Sequence, residues 1–503
     1  MPDKSKWQER QMTLRESDGR IVPLSLAGQA SESMPSNAGA GKAAKLTRDP
    51  DRASTVLRDG DSVITRLDLI TTRAESDQAA TFDNLYSLLN YELLWYAFRK
   101  LKRDKAPGVD GVTVDQYEEK LQANLLDLET RLHRQSYRPQ PSLRRDIPKG
   151  DGKTRPLGMA CVEDKIVQRA VVMILERIYE VDFCDTSYGF RPGRSCHQAL
   201  SALGQIIATK KVNWISDADI AGFFDNVCHQ KLVELLGARI KDPRMLWLIG
   251  RFLKAGVMIE GLRDDTDEGV AQGSSLSPLL ANVYLHYVLD QWFERDVRPR
   301  MQGEAYFIRY ADDFICTFEL ESDARRFQDV LVKRLARFSL ELAEEKTKLL
   351  RFGRFAERDS ARHGEGAPGT FDFLGFTHYC ARKKDGTGFK LGRKTQAKRR
   401  RAKLKAIKDA LRRNMHGSID KQGRWLAAVL RGYFAYFAVP GNSASLSAFR
   451  QQVKERWLRA LRRRSQRSKL TYERMQTIVD RHLPRPRVLH PWPEQRFRVT
   501  HST

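Results

Sequence analysis

Apolar and polar residues recur with different periods along this chain, and those periods predict its elements. Residues 1–60 are rich in Ser, Gly, Ala, Asp and Arg and show little period, which predicts a mostly disordered arm. From Asn84 the spacing becomes helical, with leucines at positions 85, 88, 89, 93 and 94. A turn at residues 105–111 and a second helix around residues 117–132 follow. The first 140 residues therefore predict an arm followed by helices.

The middle of the chain alternates between strand-like and helix-like segments. Residues 141–160 predict a β-hairpin, because Asp151-Gly152 and a neighbouring glycine mark a tight turn. Further strands are predicted at residues 212–220 and 371–376, where aromatic and β-branched residues cluster. Helices are predicted in the ranges 163–180, 229–240, 243–255, 277–292 and 322–338. This mixture predicts an α+β fold.

Beyond residue 390 the apolar residues recur with a helical period only. They form three stripes: Leu404, Ile407 and Leu411; Trp425, Val429 and Tyr433; and Phe449, Val453, Trp457 and Leu461. The stripes predict a module of three helices with cationic outer faces. The residues after 483 are rich in Pro, Arg and Trp and are expected to be extended.

The net charge of +25 is concentrated in this helical segment. Residues 381–470 contain 27 Lys and Arg but only four Asp and Glu, whereas the rest of the chain contains 61 basic and 59 acidic residues. So strong an asymmetry favours a surface for a polyanion over an ordinary solvated helix face.

The six cysteines are scattered and form no Cys-x-x-Cys pair. Their spacing argues against a zinc ribbon and against a disulfide framework. No apolar run reaches the length of a membrane span, and no secretory signal is visible at the N-terminus. We therefore expect a cytoplasmic protein, associated with the nucleoid through its basic charge.

The clearest candidate for chemistry is the segment Tyr310-Ala311-Asp312-Asp313, which lies between two strand-like runs. The flanking residues predict a β-hairpin with two adjacent carboxylates at its turn. A bound cation would relieve their repulsion, although a solvated acidic turn is the alternative. Asp219, at the end of the strand 212–220, is the expected partner in a two-Mg²⁺ phosphoryl-transfer site. Asp217 and Asp225 are rivals for which a structural role is favoured.

Several short motifs follow one another along the chain. They are Arg155-Pro156-Leu157-Gly158, the segment 188–195, the segment 217–225, Gln272-Gly273 with the segment 276–282, the acidic turn, Glu345-Lys346-Thr347-Lys348, and Phe373-Leu374-Gly375-Phe376. In this order they resemble the group II intron-encoded reverse transcriptases and maturases of bacteria. The resemblance runs from about residue 84 to the C-terminus.

The resemblance implies a right-hand polymerase, with fingers, a palm built on an antiparallel sheet and a helical thumb. The implied domains are an arm (1–60), an N-terminal extension of the fingers (61–140), fingers and palm (141–380), a basic thumb or maturase domain (381–470) and a nucleic-acid-binding tail (471–503).

The resemblance also implies roles for individual residues. Mg²⁺ would be held by Asp219, Asp312 and the carbonyl of Ile220, with Asp313 adjacent. Phe224 matches the bulky residue that closes the pocket beneath the sugar 2′-position and favours dNTPs. The other implied residues are Lys149, Arg155 and Gln272 for dNTP binding, and Arg191, Arg194, Lys348, Arg399 and Arg400 for nucleic-acid binding.

Alternatives stay open for several of these residues. Lys153 is a substitute for Lys149, and a solvated basic hairpin is the other interpretation of this stretch. A core aromatic is the alternative for Phe224, although it suits Phe223 better. Arg191 and Arg194 are equally well explained by helix capping or salt bridges.

Three further features complete the comparison with the family. Ser274 and Ser275 follow Gln272-Gly273 where many relatives carry glycine and aliphatic residues. No Cys- and His-bearing endonuclease segment follows the helical module, so the chain resembles the endonuclease-lacking branch. His490 and Trp492 either contact nucleic acid or belong to a strap on the basic helices, and the strap is favoured.

The predicted function is RNA-directed DNA synthesis combined with maturase binding to a group II intron. The expected partners are intron RNA, an RNA template with a DNA primer, dNTPs and target DNA, and the expected cofactor is Mg²⁺. A non-catalytic splicing factor is one alternative, which the intact acidic residues disfavour. A domesticated bacterial reverse transcriptase, for instance in phage defence, is the other.

Overall fold

A computed structural model describes residues 60–148, 154–259, 262–264, 268–270, 273–383, 386, 388–465 and 470–491. Almost all of the predicted N-terminal arm lies outside the described residues, as do Lys149, Lys153, Gln272 and Trp492. Within them, no helix combines the length and apolar character needed to cross a bilayer.

Helices account for most of the described chain. In chain order they are α1 (Gly60–Ser76), α2 (Tyr91–Arg99), α3 (Val114–Glu118), α4 (Leu121–His133), α5 (Val162–Asp182), α6 (Cys196–Thr209), α7 (His229–Leu236), α8 (Pro243–Leu253), α9 (Ser277–Leu285), α10 (Glu321–Arg337), α11 (Ala356–Arg362), α12 (Ala397–Arg413), α13 (Ile419–Phe437), α14 (Ser443–Arg462) and α15 (Tyr472–His482).

The strands form three sheets. In chain order they are β1 (Ser142–Pro148), β2 (Thr154–Met159), β3 (Trp214–Asp219), β4 (Val257–Ile259), β5 (Leu262–Asp264), β6 (Ala305–Tyr310), β7 (Asp313–Phe318), β8 (Lys348–Arg351), β9 (Phe371–Phe373), β10 (Phe376–Arg382) and β11 (Phe389–Thr395). The hairpin sheet has the order β2-β1-β4-β5, the central sheet β6-β7-β3-β8 and the third sheet β11-β10-β9.

The predicted α+β character and most predicted elements are confirmed. Strands β1 and β2 form the hairpin expected in residues 141–160, and α5 covers the helix expected at 163–180. Strands β6 and β7 flank the acidic turn as antiparallel partners. The helix that begins at Ser277 continues past its α-helical part as wider π-helical turns up to Val297.

Helix α1 was not predicted, because it directly follows a segment without a clear period. Its apolar residues Val63, Leu67, Ile70 and Ala74 nevertheless lie on one face and are buried. This face packs in the same core as α5, whose residues Ile166, Val167, Ala170, Val171 and Ile174 are fully enclosed. The stripe is short and lies among charged residues, so local composition concealed it.

The C-terminal segment differs from the predicted three-helix module in two respects. Strand β11 occupies residues that were expected to be helical, because it pairs along its whole length with β10. A fourth helix, α15, completes the C-terminal bundle of α12 to α15. The buried face of α13 carries Leu426, Leu430 and Phe434, whereas Trp425 of the predicted stripe is 38% exposed.

The chain after α15 runs back across the C-terminal bundle as an extended strap. The backbone N–H groups of Leu489 and His490 donate to the carbonyl of Ala438. The imidazole of His490 stacks on that of His197 in α6, with ring centroids 3.6 Å apart. These contacts support the strap interpretation for residues 483–491.

A buried guanidinium ties the acidic turn to the helices behind it. Arg309, in β6, is fully buried and donates to both carboxylate oxygens of Asp290, at 2.7 and 2.6 Å. The same group donates to the side chain of Asn282 and to the carbonyl of Ala311, at 3.0 and 2.9 Å. Burial alone would raise the pKa of Asp290, but Arg309 and His286 hold it below its usual value. The pair is therefore charged and fixes the turn.

The loop before α6 is locked onto the same cluster. Asn282 donates to the carbonyl of Gly189 at 2.6 Å, and the N–H of Tyr188 donates to the carbonyl of Arg309 at 2.9 Å. A Cβ atom at Gly189 would overlap the backbone nitrogen of Ala311. Only glycine allows this close approach of the loop to the turn.

We predict that Arg309→Leu destabilises the protein by about 3–5 kcal/mol, because it leaves the Asp290 carboxylate buried without a partner. Adding Asp290→Leu restores part of this loss, since both charges are then gone. Urea unfolding of the two variants measures the difference.

The exposed pair of Arg325 and Glu321 in α10 provides the matched control. Arg325→Ala is expected to cost less than about 1 kcal/mol in the same urea experiment, because solvent screens exposed pairs. A stability of Arg309→Leu equal to that of this control would contradict the structural role of the buried pair.

Candidate active site

The turn between β6 and β7 presents two carboxylates at one end of the central sheet. Tyr310 pairs with Asp313, which leaves Ala311 and Asp312 as a two-residue turn. Ala311 has a φ of 59°, a left-handed conformation that costs a non-glycine residue about 1–2 kcal/mol. The hydrogen bond from Arg309 to the Ala311 carbonyl offsets part of that cost. The predicted hairpin with its acidic turn is thereby confirmed.

Asp219 lies opposite this turn on the neighbouring strand. In the antiparallel register of β3 and β7 it pairs directly with Asp313. Residues paired in this way share a face of the sheet. Burial, together with the charges of Asp217, Asp312 and Asp219, raises the pKa of Asp313 to about 7. The structure thus brings the three predicted carboxylates to the same end of one sheet.

The two rival acids lie at the edges of this arrangement. Asp217 is two residues back along β3, opposite Lys348 of β8. Burial raises its pKa to about 7, against the opposing charge of Lys348 and with a further contribution from Asp372 and Asp219. Asp225 follows the strand in a short 3-10 turn and is exposed.

The sequence did not predict that Lys346 contacts Asp219. Its Nζ donates to Oδ2 of Asp219 at 2.7 Å. This hydrogen bond raises the pKa of Lys346, so the side chain is a cation held against the carboxylate. The motif Glu345-Lys346-Thr347-Lys348 contributes to the family resemblance, but nothing in it indicates which residue Lys346 contacts.

These groups fit a hard divalent cation. Among the described residues, no set of three His, Cys, Asp or Glu side chains is already gathered closely enough to hold a metal ion. The donors at the end of the sheet are nevertheless carboxylate oxygens, which Mg²⁺ prefers. Burial first, and then the neighbouring carboxylates, raise the pKa of Asp313, and the Lys346 ammonium neutralises part of the negative charge at Asp219.

The backbone beyond Asp219 is oriented in a way that suits the implied Ile220 ligand. The carbonyl of Asp219 accepts from Ala343, and the N–H of Ala221 donates to Glu341, so both point towards the 341–343 segment. Peptide groups alternate in direction along an extended chain. The Ile220 carbonyl therefore points to the opposite side, where the strand of Asp313 lies.

Phe224, five residues after Asp219, lines a cavity of about 200 Å³. It lies in the 3-10 turn Phe223–Asp225, and its carbonyl accepts from Val270 at 2.7 Å. A Cβ atom at Gly269 would come within 3.0 Å of that carbonyl oxygen. Phe223 is 2% exposed and belongs to the core, whereas Phe224 is half-buried and faces the cavity.

The loop at Gly273 is held by two contacts that the sequence did not indicate. Gly273 has a φ of 117°, and a Cβ atom there would overlap the carbonyl oxygen of Gly158 in β2. The small residue thus allows a close approach of two protein segments. The buried Gln168 of α5 accepts from the Ser274 hydroxyl and from the Ser275 N–H, both at 3.1 Å. Ser274 and Ser275 therefore anchor this loop.

The implied dNTP residues are only partly described. Lys149 and Gln272 lie outside the described residues. Arg155 pairs with Ile147 across the hairpin of β1 and β2, and its backbone is described while its side chain is not.

The two arginines of the 188–195 motif make contacts within the protein. The Arg191 side chain is 4% exposed, pairs with Glu180 at 3.0 Å and donates to the carbonyls of Cys184 and Ser187. The expected nucleic-acid contact of Arg191 is thus replaced by a salt bridge, the alternative left open by the sequence. Arg194 pairs with Asp185 at 2.6 Å and keeps 29% of its side chain exposed.

The remaining implied nucleic-acid residues lie on the surface or near it. Lys348 is exposed at the start of β8. Arg399 is exposed in the first turn of α12, where its guanidinium lies over the turn at Gly375. Arg400 is half-buried beside it, on the side of Tyr433.

Comparison with known proteins bears on this site directly. Residues 147–378 match the family described as reverse transcriptase (RNA-dependent DNA polymerase). This range contains Phe224 and all the carboxylates at the end of the central sheet.

Three relatives illustrate the similarity. Protein YkfC of Escherichia coli strain K12 is 36% identical over 237 residues, 42% of this chain and 62% of that protein. The group II intron-encoded protein LtrA of Lactococcus lactis subsp. cremoris is 33% identical over 303 residues, 58% of this chain and 50% of LtrA. An uncharacterized 91 kDa protein in the cob intron of Schizosaccharomyces pombe is 36% identical over 244 residues, 46% of this chain and 29% of that protein.

The chain thus spans less than two thirds of the length of each of these relatives. The match nevertheless includes the whole central sheet with its acidic end. Residues 147–378 are thus similar to the reverse transcriptase family, and the resemblance of this chain to the group II intron-encoded reverse transcriptases is confirmed.

Proposed function

We propose that this protein is the RNA-directed DNA polymerase of a group II intron, which copies intron RNA into cDNA and binds the same RNA as a maturase. The observation that carries the proposal is the pairing of Asp219 with Asp313, beside Asp312, within a reverse transcriptase domain. A non-catalytic splicing factor would not need this arrangement to stay intact. Target DNA is included in the proposal as a partner.

We assign the parts of a right-hand polymerase to the observed elements. The hairpin sheet with the helices before it would form the fingers, and the central sheet would form the palm. The C-terminal bundle of α12 to α15 would form the thumb, and the strap at 483–491 would belong to the tail. The two cores meet at the central sheet. The helices α12 to α15 pack with α6 and β9 against residues such as Ile215 and Ile315 of this sheet, whereas most helices before α6 pack in the other core, which contains Phe307 and Phe314.

In the proposed reaction, Asp219, Asp312 and the carbonyl of Ile220 would hold the metal ions, with Asp313 beside them. Bound Mg²⁺ would supply the positive charge that lowers the pKa of the primer 3′-hydroxyl and stabilises the phosphoryl-transfer transition state. Lys346 occupies Oδ2 of Asp219 in the free protein, so it would compete with a metal ion for that oxygen. The Arg309 cluster keeps the turn in place throughout.

Selection of the sugar is assigned to Phe224. Phe224 lines the cavity in the turn that follows the strand of Asp219, and Val270 and Gly269 fix the backbone of this turn. A ring at this point leaves no room for a 2′-hydroxyl, which favours dNTPs over NTPs. The triphosphate would be held by Lys149 and Arg155 of the fingers hairpin and by the loop at Gln272.

Binding of RNA is assigned mainly to α12. Its buried face consists of Leu404, Ile407 and Leu411, whereas Arg401, Lys405, Lys408 and Arg412 are exposed in a row along one flank of that face. A helix with one apolar and one cationic face packs on the protein and presents positive charge to phosphates. Arg399 and Arg400 extend this surface to the third sheet.

We predict that Asp312→Ala lowers cDNA synthesis by at least about 10³-fold, because it removes a ligand of the metal ions. Binding of intron RNA should change by less than about twofold, because α12 is untouched. Primer extension on an RNA template with Mg²⁺ and dNTPs measures the first quantity, and filter binding of the intron RNA measures the second.

Asp329→Ala, on the exposed face of α10, is the matched control for loss of a carboxylate. It should leave both quantities unchanged. Loss of both activities in a folded Asp312→Ala protein would contradict the proposed division between catalysis and RNA binding.

We predict that Phe224→Val increases incorporation of CTP relative to dCTP by about 10-fold or more, because space opens at the sugar 2′-position. The ratio of kcat/KM for the two nucleotides measures this effect. Phe223→Leu is the control, since that ring lies in the core, where its loss reduces stability without changing the ratio. An unchanged ratio in Phe224→Val would remove this residue from sugar selection.

A further inference from the structure

Helix α8 carries a basic face that lies outside the strongly charged C-terminal segment. Arg244, Trp247, Arg251 and the following Lys254 are spaced by three or four residues, so they lie on one side of the helix. The opposite side is buried through Met245, Leu248 and Ile249. Overall charge gave no sign of this face, because the chain outside residues 381–470 is almost neutral.

A fourth cation joins this face from the segment before β1. Arg138 is exposed and lies close enough to Arg251 to oppose its charge; burial and the charge of Arg138 both lower the pKa of Arg251. The guanidinium of Arg251 lies over the ring of Trp247, 5.3 Å from its centroid. We call Arg138, Arg244, Trp247, Arg251 and Lys254 the α8 patch.

The described part of the chain offers no acidic partner to the α8 patch. None of its four cations forms an ion pair in these residues. The nearest carboxylate in sequence, Asp242, is buried and accepts from the backbone N–H groups of Tyr86, Arg244 and Met245. Two guanidinium groups brought together without a carboxylate raise the electrostatic cost of the free protein, and a polyanion would remove that cost.

The C-terminal end of α8 borders the cavity that Phe224 lines. Phe224 and Ser274 line this cavity together with Phe252 and Leu253 of α8 and with Gln140, which follows Arg138 by two residues. The α8 patch therefore adjoins, through its own helix, the cavity that is assigned to the incoming nucleotide.

We propose that the α8 patch binds unpaired nucleotides of the RNA template before they reach the active site, an inference that rests on the proposed function. Arginine and lysine would contact the phosphates. Trp247 and the Arg251 guanidinium offer flat surfaces on which single-stranded bases stack. Alternating cationic and aromatic residues suit a single strand better than a duplex, whose bases are not accessible for stacking.

The test compares two primer–templates that differ only in the length of the 5′ RNA overhang, one and ten nucleotides. Fluorescence anisotropy gives the Kd of the wild type and of the variant Arg138→Ala/Arg251→Ala. We expect the wild type to bind the long overhang at least about fivefold more tightly than the short one, and the variant less than about twofold. The salt dependence of binding to the long overhang should also weaken in the variant, by about one to two units of slope.

Arg326→Ala/Lys333→Ala, on the exposed face of α10, is the matched control for the loss of two cations and should keep the full overhang effect. Single-nucleotide extension on the short overhang is measured in parallel, and it should be the same for all three proteins within twofold. An overhang effect that is unchanged in Arg138→Ala/Arg251→Ala would overturn the inference. Absence of extension by the wild type would instead overturn the proposed function, so the two failures are distinguishable.

Discussion

The bidentate pair between Arg309 and Asp290 is the interaction on which the active end of the central sheet depends. The guanidinium of Arg309, in the strand before the acidic turn, contacts Asn282 in the helix behind it and the carbonyl of Ala311 within the turn. A buried charged pair stabilises the structure only if every hydrogen-bond donor has a partner, because desolvation of an unpaired charge costs several kcal/mol. Through Asn282 and Gly189 the same cluster also fixes the loop before α6.

Acidic and basic side chains occupy different places in this protein: the acidic cluster is partly buried, and most basic side chains are exposed. Negative charge is concentrated at one end of the central sheet, where burial raises the pKa of Asp313 and Asp217. Positive charge is spread over surfaces on α12 and α8, and one cation, Lys346, reaches the acidic site itself. A polyanion held by the outer surfaces would be guided towards a site that needs divalent cations to accept it.

The sequence predicted the elements whose pattern is local and missed contacts made by distant residues. The hairpin at Asp312 and the strand ending at Asp219 follow from alternation and turn residues, so they were found. Lys346 and Asp219 are 127 positions apart, and the spacing of apolar residues along the sequence does not indicate such a contact. Arg309 is a charged residue within an apolar strand. This position indicates a buried partner, but no such partner was predicted from the sequence. Arg191 looked like a phosphate contact because its motif gives no information about Glu180.

The central claim is that the end of the sheet at Asp219 is a divalent cation site which Lys346 partly neutralises in the free protein. Equilibrium binding of Mn²⁺, followed by electron paramagnetic resonance, tests this claim without relying on catalysis. The account predicts that Asp219→Asn weakens Mn²⁺ binding by about tenfold or more, whereas Lys346→Met strengthens it, because a competing cation is removed. Mn²⁺ binding that is the same in the wild type and both variants would contradict the account.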